Sequence, residues 1–230
     1  MSKAIYVSGS TQHNNMGIGP YGTEEERMQF LADRVKQYLL AGKADIVVHR
    51  NNGNMNLDET VHDSNNKHAD AHIALHTNSG GGRGTECYYY YKTDTSTNLN
   101  GKRLATLVYN AVAPLTVAQD RGCKPDNSLY SNGLYETRET NAKSCLIEIM
   151  FHDNLADVTD YLGKVDTIAQ AIAWAIYDYF GLVYSQVTTT KNEAIRKLRS
   201  VSSYADSVWI KEFTVLEGKG LNIWGLINIL

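Results

Sequence analysis

The chain has 230 residues, 43% of them hydrophobic and 20% charged, and a formal net charge of −3 at pH 7. This length suits one sizeable domain with an appendage, or two small domains. The small negative charge excludes a dominant polyanion-binding surface, so we expect no nucleic-acid partner. No stretch approaches 18 consecutive apolar residues, which argues against membrane insertion. The N-terminal sequence lacks the apolar segment of a secretory signal, so we expect synthesis in the cytoplasm.

The three cysteines, Cys87, Cys123 and Cys145, are an odd number and do not have zinc-ribbon spacing. This pattern argues against a disulfide scaffold and against a thiolate metal site. We therefore interpret them as small buried hydrophobic residues.

The N-terminal half of the chain alternates apolar runs of strand length with helical periodicity. Residues 4–8 are predicted to form a buried strand, and a loop rich in Ser, Asn and Gly follows at 9–22. Thr23 and Glu26 have capping-box spacing, which predicts a helix that ends near Gly42. The next predicted elements are strands at 46–49, 71–76 and 85–92, a helix at 57–67 and a glycine-rich turn at 79–84.

The same alternation continues with a predicted helix at 98–113, a strand at 144–149 and a helix at 166–180. Strands that alternate with helices indicate the α/β class. We expect a mostly parallel twisted sheet flanked by helices on both faces, formed by residues 1–184.

The composition changes after residue 185, where a QVTTT linker opens the C-terminal segment, residues 186–230. Two or three short helices are predicted there, and their apolar stripes include Trp209, Phe213 and Trp224. So short a segment rarely folds alone. We expect it to dock on the first domain, to form a homodimer with another copy of the chain, or to act as a targeting module.

Four polar residues fall where predicted strands meet loops or helices: His13, Glu24, His76 and Glu148. In open α/β sheets, such positions meet in the crevice beyond the carboxyl ends of the strands. Two imidazoles and one carboxylate suit a catalytic zinc ion whose fourth position is left to water. Glu148 would then be free for proton transfer. It lies in the apolar run SCLIEIMF, where a buried carboxylate is costly unless it is paired.

The choice among three adjacent glutamates depends on helical phase. Glu24 lines up with Met28 and Leu31 on the core-facing stripe, whereas Glu25 shares a face with the polar Gln29. Glu24 is therefore the first choice as a ligand and Glu25 the second.

Other polar residues leave alternatives open. His72 lies four residues before His76 on the same strand face, so it either supports the site or packs elsewhere. His152 either orients a group in the cleft or lies in a solvated loop. Arg138 is the candidate partner of Glu148 if that carboxylate only forms a structural salt bridge.

Five segments, spread in order over residues 4–183, resemble successive motifs of the zinc-dependent N-acetylmuramoyl-L-alanine amidases of type 3, a family that includes endolysins. They are IYVSGSTQHNNMG, YGTEEERMQFLAD, IALHTNS, GRGTECYYYY and LYETRETNAKSCLIEIMFHDN. In that family a glycine more usually precedes the first histidine, whereas here Gln12 does.

The resemblance implies that residues 1–184 are a catalytic domain with one Zn²⁺ bound by His13, Glu24 and His76, and with Glu148 as the catalytic carboxylate. It further implies that the partner is peptidoglycan, cut between N-acetylmuramic acid and L-alanine. Without a signal sequence, a phage lysin or a lysis-associated enzyme acting on the cell wall is expected. Two alternatives remain: a zinc carboxypeptidase that holds a terminal carboxylate with Arg138, and a metal-free wall-binding protein.

Overall fold

The computed structural model describes residues 2–42, 44–92, 97–116 and 120–184. Met1–Val183 form one compact unit. The predicted helices and the homodimer contact of residues 186–230 lie outside the described residues, so they stay predictions. In the described part of the chain, no helix has the length and apolar character needed to cross a membrane.

One six-stranded sheet forms the centre of the described unit. Its strands are β1 (Lys3–Gly9), β2 (Ile46–Arg50), β3 (Ala71–Asn78), β4 (Thr85–Tyr89), β5 (Asp120–Pro125) and β6 (Lys143–Phe151), in the order β2-β1-β3-β6-β4-β5. All neighbouring strands are parallel except β4 and β6, which pair antiparallel. The predicted mostly parallel α/β sheet is therefore confirmed. Because β4 and β5 run opposite to the others, the start of β4 lies beside the end of β6.

Five α-helices connect and cover the strands: α1 (Glu24–Ala41), α2 (Leu57–Asn66), α3 (Thr97–Val112), α4 (Tyr135–Glu139) and α5 (Leu155–Phe180). The predicted capping box is confirmed, since the Thr23 side chain accepts from Glu26 N and the Glu26 side chain accepts from Thr23 N. The last helix begins at Leu155 rather than at 166 because the Asn154 side chain caps it. Neither β5 nor α4 was predicted.

The helices lie in two layers. Helix α5 packs on both α1 and α3, and α2 and α4 contact each other. On β1, Tyr6 faces α2, where its hydroxyl donates to Asp63 Oδ2 at 3.0 Å, and its ring stacks on His72. Because side chains alternate along a strand, the buried Ile5 and Val7 point to the opposite face. Ile5 and Val7 therefore belong to the apolar core on one face, whereas Tyr6, His72 and His76 lie on the face covered by α2 and α4.

Candidate active site

The candidate site lies where β1, β3 and β6 end. In the sheet, His76 of β3 is in register with Glu148 of β6, and Glu148 is in register with Glu86 of the antiparallel β4. The loop after β1 leads into α1, which brings Glu24 to the same edge in its first turn. Glu24 is fully buried and His76 is 7% exposed. Strand register and the first turn of α1 thus bring together residues that are far apart in the sequence.

Glu24 and His76 form the centre of the site. Oε1 of Glu24 lies 2.9 Å from Nδ1 of His76, and Asn15 Nδ2 donates to Glu24 Oε2 at 2.9 Å. Burial raises the pKa of Glu24, but hydrogen bonds from His76 and Asn15 and the charge of His76 outweigh burial and lower the pKa overall. The structure therefore places Glu24 beside His76. Glu25 is instead partly buried, and its Oε2 lies 3.8 Å from Nδ1 of His13.

A second buried carboxylate, Glu136 of α4, holds the other side of His76. Its Oε2 lies 3.4 Å from His76 Nε2, and its Oε1 lies 2.8 Å from His72 Nε2. The chain of contacts ends at Ser64 Oγ, 2.9 Å from His72 Nδ1. Burial opposes ionisation of both groups. The contacts nevertheless lower the pKa of Glu136 far below its usual range and raise that of His76 well above its own.

The role of His72 could be anticipated from its position on the same strand face as His76, but Glu136 was missed. The sequence gives no periodic signal for α4, which has only five residues. Glu136 lies 60 residues from His76 in the chain, so only the folded sheet brings them together.

Glu148 differs from the other acidic residues of the site because one of its oxygens is unpartnered. The side chain is half-buried, and its Oε2 is shielded from solvent without a hydrogen-bond partner in the described part of the protein. The pKa of Glu148 is raised to about 7, and burial is the largest cause. The charge of His76 lowers this pKa, whereas the charges of Glu24 and Glu86 raise it further. A carboxyl group with such a pKa can both accept and release a proton near neutral pH.

His13 does not join this cluster. Its side chain is 73% exposed and lies 3.8 Å from Glu25 Oε2. The preceding residue, Gln12, is also exposed, but its Nε2 lies 3.4 Å from His76 Nδ1, and its Oε1 accepts from Asn15 Nδ2 at 2.6 Å. Among the described residues, no three His, Cys, Asp or Glu side chains are arranged to hold a metal ion. The structure thus assembles two of the three predicted ligands.

The remaining candidates have other partners. His152 is buried and its Nδ1 lies 3.0 Å from Thr77 Oγ1, next to the site rather than in a solvated loop. Arg138 does not reach Glu148, since its guanidinium contacts the Glu139 carboxylate at 2.6 Å and the carbonyl of Asn132 at 3.1 Å. The alternative in which Arg138 neutralises Glu148 therefore does not describe this structure.

Comparison with known proteins adds the family. The sequence model of the N-acetylmuramoyl-L-alanine amidases matches residues 8–178, about three quarters of the chain. The chain belongs to the N-acetylmuramoyl-L-alanine amidase family. This amidase matches no curated protein sequence.

The fold of this amidase is shared with solved structures from several bacteria. It resembles the N-acetylmuramoyl-L-alanine amidase from Clostridium difficile 630, with a TM-score of 0.67 at 19% identity over 78% of this chain and 97% of the other. The catalytic domain of CwlV from Bacillus (Paenibacillus) polymyxa gives 0.66 at 23% identity, over 78% and 99%. The catalytic domain of the CD27L endolysin gives 0.59 at 18% identity, over 77% and 98%. At these identities the likeness concerns the fold alone, and it covers nearly the whole of each related domain.

Proposed function

We propose that this amidase is a zinc-dependent peptidoglycan hydrolase that cleaves the amide bond between the lactyl group of N-acetylmuramic acid and L-alanine of the stem peptide. The observation that carries the proposal is the juxtaposition of an unpartnered carboxylate, Glu148, with the paired Glu24 and His76. A hydrolytic site needs one group that holds the electrophilic centre and another that is free to move a proton. The family membership of the chain supports this reading.

The proposal includes one zinc ion per chain, because two of the residues at the site have the donor atoms that zinc binds. Glu24 and His76 supply a carboxylate oxygen and an imidazole nitrogen 2.9 Å apart. Glu136, on the other ring nitrogen, matches the carboxylate that commonly supports a metal-binding histidine. When bound, zinc would polarise the scissile carbonyl and lower the pKa of water. The third ligand was predicted to be His13, whose side chain lies on the surface.

The side chains of the protein then have separate tasks. Glu136 accepts the Nε2 proton of His76 and so directs Nδ1 towards Glu24. Glu148 takes one proton of the attacking water and delivers it to the leaving amine of L-alanine. The raised pKa of Glu148 matches it to this double role, because a much stronger acid would not carry the proton to the amine.

The test is digestion of purified peptidoglycan followed by identification of new ends. We expect new amino groups on L-alanine, intact glycan strands and loss of activity in a chelator that zinc reverses. Release of D-alanine alone would identify the carboxypeptidase alternative, and binding without any cleavage would identify the wall-binding alternative. Either result contradicts the proposal.

We also propose that the catalytic domain ends near residue 184 and that residues 186–230 dock, pair with a second copy or target the wall. The boundary is supported by the compact unit that ends at Val183. A chain truncated after residue 184 should cleave small muropeptides at the same rate as the full chain. Light scattering of the full chain and the truncated chain then distinguishes a homodimer from a docked segment.

A further inference from the structure

Two cationic side chains of β5, Arg121 and Lys124, meet at one buried carboxylate beside the candidate site. Nε of Arg121 lies 3.2 Å from Glu86 Oε1, and Nζ of Lys124 lies 2.8 Å from Glu86 Oε2. Glu86 is 2% exposed, whereas the side chains of Arg121 and Lys124 are 32% and 36% exposed. A buried carboxylate thus holds two cations that solvent can reach.

The order and register of the strands place these cations near Glu148. Glu86 of β4 is in register with Glu148 of β6, and side chains opposite each other on antiparallel strands lie on the same face of the sheet. The guanidinium carbon of Arg121 lies 4.9 Å from the ring centre of Phe151, the last residue of β6. Strand β5 is two strands from β6, about 10 Å at the usual spacing. The cations therefore lie at the same edge as the proposed proton carrier.

Arg121 and Lys124 have fixed positions and an excess of positive charge. Arg121 packs on the ring of Phe151, and Lys124 Nζ lies 5.9 Å from the ring centre of Tyr88, so each cation has an aromatic contact besides Glu86. Among the described residues, neither cation pairs with a second carboxylate, so two positive charges face one negative charge. Oriented guanidinium and ammonium groups with charge to spare suit the carboxylate of a ligand.

We propose that Arg121 and Lys124 bind a free carboxylate of the stem peptide, on its second or third residue. An extended peptide advances about 3.3–3.6 Å per residue, so a stem peptide whose L-alanine lies at Glu148 reaches β5 within two or three residues. This inference rests on the proposed function and deepens it, because it names the feature of the peptide that the site selects.

The experiment compares pairs of synthetic N-acetylmuramoyl peptides as substrates of the full chain. In one pair the second residue bears either a free carboxylate or a carboxamide of nearly the same size, and in the other pair the third residue does. We expect the wild type to cleave the carboxylate member of one pair with a kcat/KM about 10- to 100-fold higher, the usual range for hydrogen bonds to charged groups. The double variant Arg121→Gln/Lys124→Gln should cleave both members equally well. A general loss of catalysis cancels from this ratio.

The matched control is Lys102→Gln. Nζ of Lys102 lies 5.7 Å from the ring centre of Tyr89, next to Tyr88 on β4. Adjacent residues of a strand point to opposite faces, so Lys102 lies on the other side of the sheet. This variant loses one positive charge, as Lys124→Gln does, and should keep the wild-type preference for the carboxylate.

Equal kcat/KM values for both members of both pairs in the wild type overturn the inference. A preference that survives in the double variant, or that Lys102→Gln reduces as much as Lys124→Gln does, overturns it as well. If variants of Arg121 do not fold, Lys124→Gln still decides, because an unchanged preference in that single variant contradicts the assigned pair of cations.

Failure of the proposed function has a different signature. Calorimetric titration measures binding of the same peptides without turnover. Tighter binding of the carboxylate member that depends on Arg121, without cleavage of the bond to L-alanine, keeps the inference and rejects the hydrolase. Cleavage of that bond at equal rates in both pairs keeps the hydrolase and rejects the inference.

Discussion

Two glutamates that face each other across β4 and β6 have opposite environments. Glu86 is 2% exposed, and its carboxylate contacts Lys124 Nζ at 2.8 Å, Arg121 Nε at 3.2 Å and Asn78 Nδ2 at 2.6 Å. Burial alone would raise the pKa of Glu86, but hydrogen bonds from Lys124 and Tyr88 and the charges of Lys124 and Arg121 lower it overall. Glu148, in register with it, has an unpartnered oxygen and a pKa raised to about 7.

The contrast shows that two glutamates on neighbouring strands acquire different pKa values, and so different roles, from their different partners. Glu86 uses its charge to hold two cations, so it is not available to exchange protons near neutral pH. Glu148 has no cation that hydrogen-bonds its Oε2 among the described side chains, so its proton is exchangeable. Environments that push the pKa values of neighbouring carboxylates apart identify the one suited to acid–base chemistry.

The largest expected effect comes from Glu148→Gln. This change removes the proton carrier and keeps the shape, so kcat should fall by about 10²- to 10⁴-fold. Zinc affinity should stay close to that of the wild type, because Glu148 is not one of the proposed ligands. Rates of L-alanine amine release and chelator competition measure the two quantities. A loss of zinc affinity that accounts for the lost rate would place Glu148 among the metal ligands instead.

The next effect concerns Glu136, a buried carboxylate held by His72 and His76. Glu136→Gln keeps the size of the side chain but removes the negative charge that lies beside Nε2 of His76. We expect zinc affinity to fall by about 10- to 100-fold. The matched control is Glu139→Gln, on the same helix but facing solvent. Equal zinc affinities for both variants would show that the ion pairs of Glu136 only stabilise the fold and do not contribute to metal binding.

The two facing glutamates should also respond to pH with opposite signs in the metal-free protein. The folded-state pKa of Glu86 is lowered, so its stabilising contribution is present above the unfolded pKa of about 4.3 and is lost as pH falls. Glu86→Gln should therefore lower the melting temperature near pH 7 by about 2–4 °C, an effect that disappears towards pH 3.

Glu148 has the reverse linkage. Its folded-state pKa of about 7 lies above the unfolded value, so the folded state loses stability as pH rises from about 4 to 7. Glu148→Gln in chelator should raise the melting temperature at pH 8 and leave it nearly unchanged at pH 4. Thermal melts of both variants over pH 3–9 measure this difference, and melting curves that shift in the same direction would show that the two environments are alike.

The smallest effect is expected for Arg138→Ala. Arg138 pairs with Glu139 at the surface and has no contact with Glu148. Exposed ion pairs contribute about 0–1 kcal/mol, so stability should change little and the pH profile of the rate should not move. If Arg138 did act on Glu148, its charge would lower the pKa of Glu148, and the pH profile of the wild-type rate would lie at lower pH than that of Arg138→Ala.

Sequence patterns were sufficient where local chemistry decides the structure. The capping box at Thr23 gave the start of α1, and helical phase selected Glu24, the glutamate that the structure places beside His76. The buried run around Glu148 marked β6 correctly.

The elements that were missed depend on tertiary contacts. The segment DRGCKP has no apolar alternation, and it becomes β5 by pairing with β4. The first loop offered His13 as the more obvious ligand, yet the structure leaves the His13 side chain exposed and brings Nε2 of the neighbouring Gln12 to within 3.4 Å of His76. Such a choice between adjacent loop residues has no periodic signal in the sequence.

The most direct test of the account compares amine release from purified peptidoglycan by the wild type, Glu148→Gln and Glu86→Gln, each loaded with zinc and each checked for folding. We predict that Glu86→Gln cleaves the bond to L-alanine at a rate within about tenfold of the wild type, whereas folded, zinc-bound Glu148→Gln is inactive to within about 1%. A Glu148→Gln variant with the wild-type rate would contradict the account.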